Sequence, residues 1–110
     1  MIKFFNDEVR AFAEFISEPK IPPVELYVVP YYDTIQTPDG EFCFACYHPK
    51  ENRIIAAEGV SEEVKDGILH CLAHEYYHHI QKVNGVDFDE DEAENFAQKM
   101  CEEWYGDKNA

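Results

Sequence analysis

Between Ile68 and Val83 the chain sets four imidazoles and a carboxylate into a run of apolar residues, and this conflict limits what the segment can become. Ile68, Leu69, Cys71, Leu72 and Ala73 precede His74-Glu75-Tyr76-Tyr77-His78, and Ile80 and Val83 follow it. Such flanks predict a buried helix, and polar groups in a buried helix need partners. Residues four apart stand one turn apart on the same helical face. His74 and His78 can therefore present two imidazole nitrogens to one metal ion. Glu75 is turned about 100° from His74, so it can flank the ion without ligating it. That is the place for a general base acting on a metal-bound water. A merely His-rich, solvated face is the alternative, and the apolar flanks argue against it.

A zinc site of this kind needs a third protein ligand. His70 lies four residues before His74, but it stands eight residues, about 12 Å of helix axis, from His78. Zn–N bonds of about 2.0–2.1 Å cannot gather both rings around one ion. His70 is expected on the helix face or behind a ligand. Asn84-Gly85 predicts the end of this helix, because glycine adopts the left-handed cap conformation readily. Asp89 with Glu92 three residues on predicts the start of another, rich in acid where the helix dipole favours it. This second helix can fold back and offer a carboxylate.

Glu90-Asp91-Glu92-Ala93-Glu94 after an HExxH resembles the gluzincins, metallopeptidases in which two His and a downstream Glu bind zinc. The form of the second helix is similar to the glutamate helix of the CAAX-prenyl-protease and heat-shock-protease branch. In size the chain most resembles the soluble minigluzincins, small archaeal relatives of those membrane catalytic domains. The resemblance implies Glu90 as third ligand and Glu94 as a carboxylate supporting a zinc-bound His. The family usually carries Asp at the latter position. Moving the ligand one turn on, to Glu94, would relax the tight connection after His78, so that alternative stays open.

At 110 residues the chain is expected to form one domain, residues 1–110. Apolar residues make up 45%, which predicts a folded core, and the net charge of −14 argues against nucleic-acid partners. No stretch approaches the roughly 20 apolar residues of a membrane span. The expectation is a cytoplasmic chain acting on a peptide or protein without nucleic-acid or membrane partners.

Phe4, Phe5, Val9, Phe12, Phe15 and Ile16 predict an amphipathic helix over residues 3–17. Strands are expected at residues 24–29, 41–47 and 53–57, with a loop over 30–40 in which Tyr31 and Tyr32 could reach a cleft. Ser61 reads as the N-cap of the helix that carries the motif. The fold class expected is α+β: one helix, three strands, a zinc helix and a glutamate helix. By resemblance this is a zincin-like domain, and residues 41–47 form the sheet edge that pairs with an extended substrate. Cys43 and Cys46 would point to opposite faces of a strand, which argues against a zinc knuckle or redox pair. Cys71 and Cys101 sit on apolar helix faces, so the four are expected as free thiols, with disulfides the alternative.

The function expected is zinc-dependent peptide hydrolysis. His74, His78 and Glu90 hold one Zn²⁺ per chain, Glu75 is the general base, and Tyr76, Tyr77, His79 or Tyr105 helps the oxyanion. Resemblance to minigluzincins adds self-inhibition: Trp104 and Tyr105 filling a subsite, with a polar tail beyond Gly106 across the cleft. The alternatives are a non-catalytic zinc-binding regulatory module and a peptidase that cuts one specific protein partner.

Overall fold

The computed structural model describes residues 6–109, with side chains from 7 to 106. Phe4 and Phe5 of the expected first helix lie outside the described residues. The helix itself, α1, spans Asn6–Ile16 and buries Val9, Phe12 and Ile16, one stripe at spacings of three and four. Five short strands follow: β1 Glu25–Val29, β2 Ile35–Gln36, β3 Phe42–Cys43, β4 Ala45–His48 and β5 Arg53–Ala57. A 3₁₀ turn at Glu62–Val64 leads into α2, Lys65–Val83, and α3 spans Glu90–Asn109. No helix among the described residues is long and apolar enough to cross a membrane. The architecture is α+β, as expected.

The main sheet has the order β1-β5-β4. β1 runs parallel to β5, and β4 pairs antiparallel to it, Tyr47 opposite Ile54. Ile54 and Ala56 alternate into the core with Val28, Ala45 and Tyr47, against Ile68, Leu69, Leu72 and Ala73 of α2. β4 is therefore the edge strand of this sheet, lying beside the motif helix.

Two expectations about the strands need correction. The single strand over 41–47 is broken at Phe44. Phe42–Cys43 instead pairs with Ile35–Gln36, inside the segment expected to be only loop, around a turn in which Gly40 has φ +91°. The break has a packing cause. The Phe44 ring lies on Gly67 of α2 so closely that a Cβ there would come within 2.6 Å of it. Tyr31 and Tyr32 are exposed at the end of β1, and Tyr32 lines a shallow cavity with Val29, Ile35 and Phe42.

Ser61 does not cap α2. Its hydroxyl donates to Asp33 Oδ2 at 2.7 Å, while Asp33 Oδ1 accepts the N–H groups of Val60 and Ser61 at 2.7 and 3.1 Å. A loop carboxylate thus fixes the chain just before α2. The far end of α2 does follow the expectation. Gly85 has φ +70°, its N–H donates to the Lys82 carbonyl, and Val86 N–H reaches back to Gln81, a Schellman closure. Asp89 Oδ1 then accepts the Glu92 N–H at 3.0 Å and caps α3. Residues 84–89 turn the chain back so that α3 runs antiparallel along α2.

α3 does not stop at Gly106, because an exposed glycine with open space around it imposes no turn. Trp104 packs edge-on against Phe12 at 5.5 Å and tilted against Phe15 at 5.2 Å, and the Tyr105 hydroxyl donates to Asp66. Both side chains belong to the packing of α3 on α1 and α2, not to a subsite. Tyr105 stands fifteen residues, about 22 Å of helix, from Glu90. The four cysteines are free and half-buried. Burial pushes the Cys71 and Cys101 thiols up to about 11, so both stay protonated.

The Asp33 clasp generates a test. The Val60 N–H, then the Ser61 hydroxyl and N–H, hold its carboxyl below the usual range. The folded state therefore binds this proton more weakly than the unfolded state, whose Asp titrates near about 3.9. The contribution is full above that value and is lost as pH falls through the folded pKa. Asp33→Ala should lower stability at pH 7 by about 1–2 kcal/mol and flatten the loss of stability below about pH 4. Denaturant melts across pH would show an unchanged acid limb if Asp33 were idle.

Candidate metal centre and cleft

The geometry starts from α2, whose apolar face against the sheet fixes which way its polar side chains point. His74 Nε2 and His78 Nε2 face one another at 3.1 Å. Glu90, in the first turn of α3, brings Oε1 to 2.6 Å from His78 Nε2 and Oε2 to 3.3 Å from His74 Nε2. One ligand atom from each of the three residues falls within a 4.8 Å cluster. The tight connection after His78 is thus no obstacle to Glu90, because the closed end of α2 delivers it there.

The outer nitrogens are tied down. His74 Nδ1 lies 2.5 Å from Glu94 Oε1, and the other Glu94 oxygen accepts from His70 Nε2 at 2.9 Å. The His70 bond first, and the His74 bond second, hold the Glu94 carboxyl below the usual range. A carboxylate only accepts, so His74 carries its proton on Nδ1. Glu94 therefore stands behind His74 and not among the facing groups. His70 occupies the position expected for it, one step further back.

His78 Nδ1 is tied by a residue that the sequence reading missed. Gln81 is 2% exposed, and its Oε1 lies 2.9 Å from His78 Nδ1. Its Nε2 reaches the Asp89 carbonyl at 3.4 Å and Glu92 Oε2 at 3.3 Å. With two acceptors beyond its amide nitrogen, its oxygen is left to accept from His78. The spacing could have found it, since a residue three after His78 stands beside it on the helix.

Both imidazoles, engaged at Nδ1 from behind, thus turn Nε2 toward the other and toward the Glu90 carboxylate. With both rings neutral at Nε2 the three groups would meet as acceptors, a contact that a metal ion, or a proton donated to Glu90, would relieve. Two nitrogens at about 2.0–2.1 Å from one tetrahedral ion stand about 3.3 Å apart, close to the 3.1 Å seen. The donor set of two imidazoles and one carboxylate suits zinc.

Glu75 is half-buried on the cleft side of α2, and its Oε2 accepts the Tyr47 N–H at 3.1 Å. Burial pushes its carboxyl up, while the His78 and His74 rings and the Tyr47 N–H pull it down. This bond also shows how the edge of the sheet is presented. Ala57 N–H bonds the Phe44 carbonyl, so along β4 the pairs that bond β5 alternate with those that do not. Ala45 and Tyr47 turn their main-chain groups outward. Glu75 takes one of these, while the Ala45 N–H is directed to the Cys43 sulfur and Ala45 itself is buried.

No family model, curated protein or solved structure matches the chain. The four aromatic candidates for an oxyanion donor are engaged elsewhere. Tyr76 accepts the Glu18 N–H at 2.9 Å, and His79 is held by the Tyr47 hydroxyl and the Pro22 carbonyl, both at 2.8 Å. Tyr77 packs on Phe96 with ring centroids 5.0 Å apart, and Tyr105 bonds Asp66.

The Gln81 network predicts that Gln81→Leu lowers affinity for added zinc about 10–100-fold. The variant should also lose about 1–3 kcal/mol of stability by leaving buried partners unpaired. Competition against a chromophoric chelator measures the first effect; unchanged affinity would remove Gln81 from the site.

Proposed function

We propose that this chain is a zinc-dependent peptidase of the gluzincin kind. The observation that carries the reading is the convergence of His74 Nε2, His78 Nε2 and a Glu90 oxygen on one point, with Glu75 and the edge strand β4 alongside. The resemblance of Glu90-Asp91-Glu92-Ala93-Glu94 to a glutamate helix supports it independently of the geometry.

In this reading His74, His78 and Glu90 hold the ion, Glu94 and Gln81 fix the two rings, and His70 orients Glu94. Zinc bound there supplies Lewis acidity, which polarises a carbonyl and makes water more acidic. Glu75 accepts a proton from the attacking water and passes it to the leaving amine as the C–N bond breaks. Its bond to the Tyr47 N–H aims the carboxylate and ties the base to the strand on which a substrate rests. An extended peptide would lie along the edge formed by β4, held by main-chain pairing whatever its sequence. A chain of net charge −14 favours cationic over anionic substrates.

The metal and the base are separable by mutation. His74→Ala and His78→Ala should lose stoichiometric zinc by metal analysis. Glu90→Gln should weaken zinc binding strongly, and Glu94→Gln by only about 10–100-fold; the reverse ranking would exchange their roles. Glu75→Gln should keep its zinc and its melting temperature while cleavage of an unfolded protein substrate falls about 10²–10⁴-fold. Full activity in that variant would exclude the mechanism. Zinc retained in a wild-type chain that cuts no peptide would indicate a binding module instead.

A further inference from the structure

Between α1, β1 and α2 lies a cavity of about 440 Å³ that none of His74, Glu75, His78 and Glu90 lines. Ile16, Ile54, Leu72 and Tyr76 make its floor, none of them more than 4% exposed. Arg10, Glu14 and Glu18 also line it and are exposed, so they stand at its mouth. The size falls within the range of about 300–1,000 Å³ usual for small-molecule sites. An apolar cavity of about 150 Å³ already takes benzene.

The space is held open by its own walls. Pro19, Pro22 and Pro23 stiffen the connection from α1 to β1. α2 grips that connection at two points: the Tyr76 hydroxyl accepts the Glu18 N–H at 2.9 Å, and His79 Nε2 donates to the Pro22 carbonyl at 2.8 Å. The first grip leaves a proton unused. A phenol hydroxyl donates as well as accepts, and the Tyr76 O–H has no acceptor among the described residues. A buried donor without a partner is costly. The cavity thus offers one hydrogen-bond donor on an apolar floor.

We propose that this cavity binds a small neutral molecule, mostly apolar, whose single hydrogen-bond acceptor, a ketone or ester carbonyl, takes the Tyr76 proton. Glu14 and Glu18 stand beside Arg10 at the mouth of a chain with net charge −14, which disfavours a carboxylate ligand. Water would satisfy the hydroxyl but not the apolar floor. The site is separate from the proposed metal centre and needs neither zinc nor turnover.

Acetophenone and ethylbenzene test the two requirements separately, because they share a shape and differ by one carbonyl oxygen. Titrating the full chain with each, up to its solubility, and following the amide NMR signals reads both place and affinity. Acetophenone should shift the Glu18, Leu26 and Tyr76 amides and leave those of Gln36 and Glu90 unmoved. It should bind about 3–10-fold tighter than ethylbenzene, the worth of one hydrogen bond. Tyr76→Phe should remove that preference while the ethylbenzene affinity holds. Ala13 also lines the cavity, so Ala13→Phe should abolish binding of both compounds with the hydroxyl intact, and it carries the test if Tyr76→Phe does not fold. No shifts with either compound, leaving water as the sole occupant, overturn the site. So do shifts centred on Ile35 and Phe42, equal affinities in the wild type, a preference that survives Tyr76→Phe, or acetophenone binding that survives Ala13→Phe.

Discussion

The Nε2 atoms of His74 and His78 and the Glu90 carboxylate meet within 4.8 Å of one another, and much of the surrounding structure is arranged to put them there. His74 and His78 stand with Nε2 atoms 3.1 Å apart, and Glu90 closes the third side. The arrangement is enforced from behind. Glu94 and Gln81 each take the outer ring nitrogen, so neither imidazole can relieve the crowding by turning its ring or switching its tautomer.

The supports reach well into the structure. Gln81 touches both sides of the connection between α2 and α3, through His78 on one helix and Asp89 and Glu92 on the other. The helix closure at Gly85 and the cap at Asp89 are therefore part of the geometry of this cluster as much as of the chain path. On the opposite flank the Asp33 clasp sets where α2 begins, and Phe44 on Gly67 sets how close the sheet edge approaches it. Fixing both flanks of α2 places Glu75 within hydrogen-bond reach of Tyr47 on β4.

Local signals were legible in the sequence, and features requiring distant partners were not. His74, Glu75 and His78 follow from a single helical spacing, and Gly85 and Asp89 from helix-end chemistry, so these positions could be read residue by residue. Glu90 needed the resemblance as well, since spacing alone left Glu94 open. Ser61 misled because its hydroxyl had a partner 28 residues away in Asp33, and a cap motif says nothing about such competition. The break at Phe44 depends on a missing Cβ across the fold at Gly67, which no strand pattern records. Gly106 failed for the opposite reason: an exposed glycine near a helix end carries no instruction unless another group demands the turn.

The course of α3 bears on how such a centre could be controlled. Ala93 and Ala97 are fully buried against α2, and small residues there let the two helices approach closely. Trp104 is committed to Phe12 and Phe15, and Tyr105 to Asp66. While that packing holds, neither side chain reaches the Glu90 end of α3. The beginning of α3 is different. Its first turn is exposed and carries Glu90, so much of what holds it against α2 is polar: the Asp89 cap, the Gln81 amide and the Glu90 carboxylate facing His74 and His78. A cation bound there, as the metallopeptidase reading proposes, would draw Glu90 toward the rings and strengthen the end of the helix that apolar packing holds least. Occupancy of the centre and order at the start of α3 are then linked, because a ligand that binds the folded arrangement stabilises it by mass action. In the metallopeptidase reading, loading of the ion is then one point at which the centre is controlled.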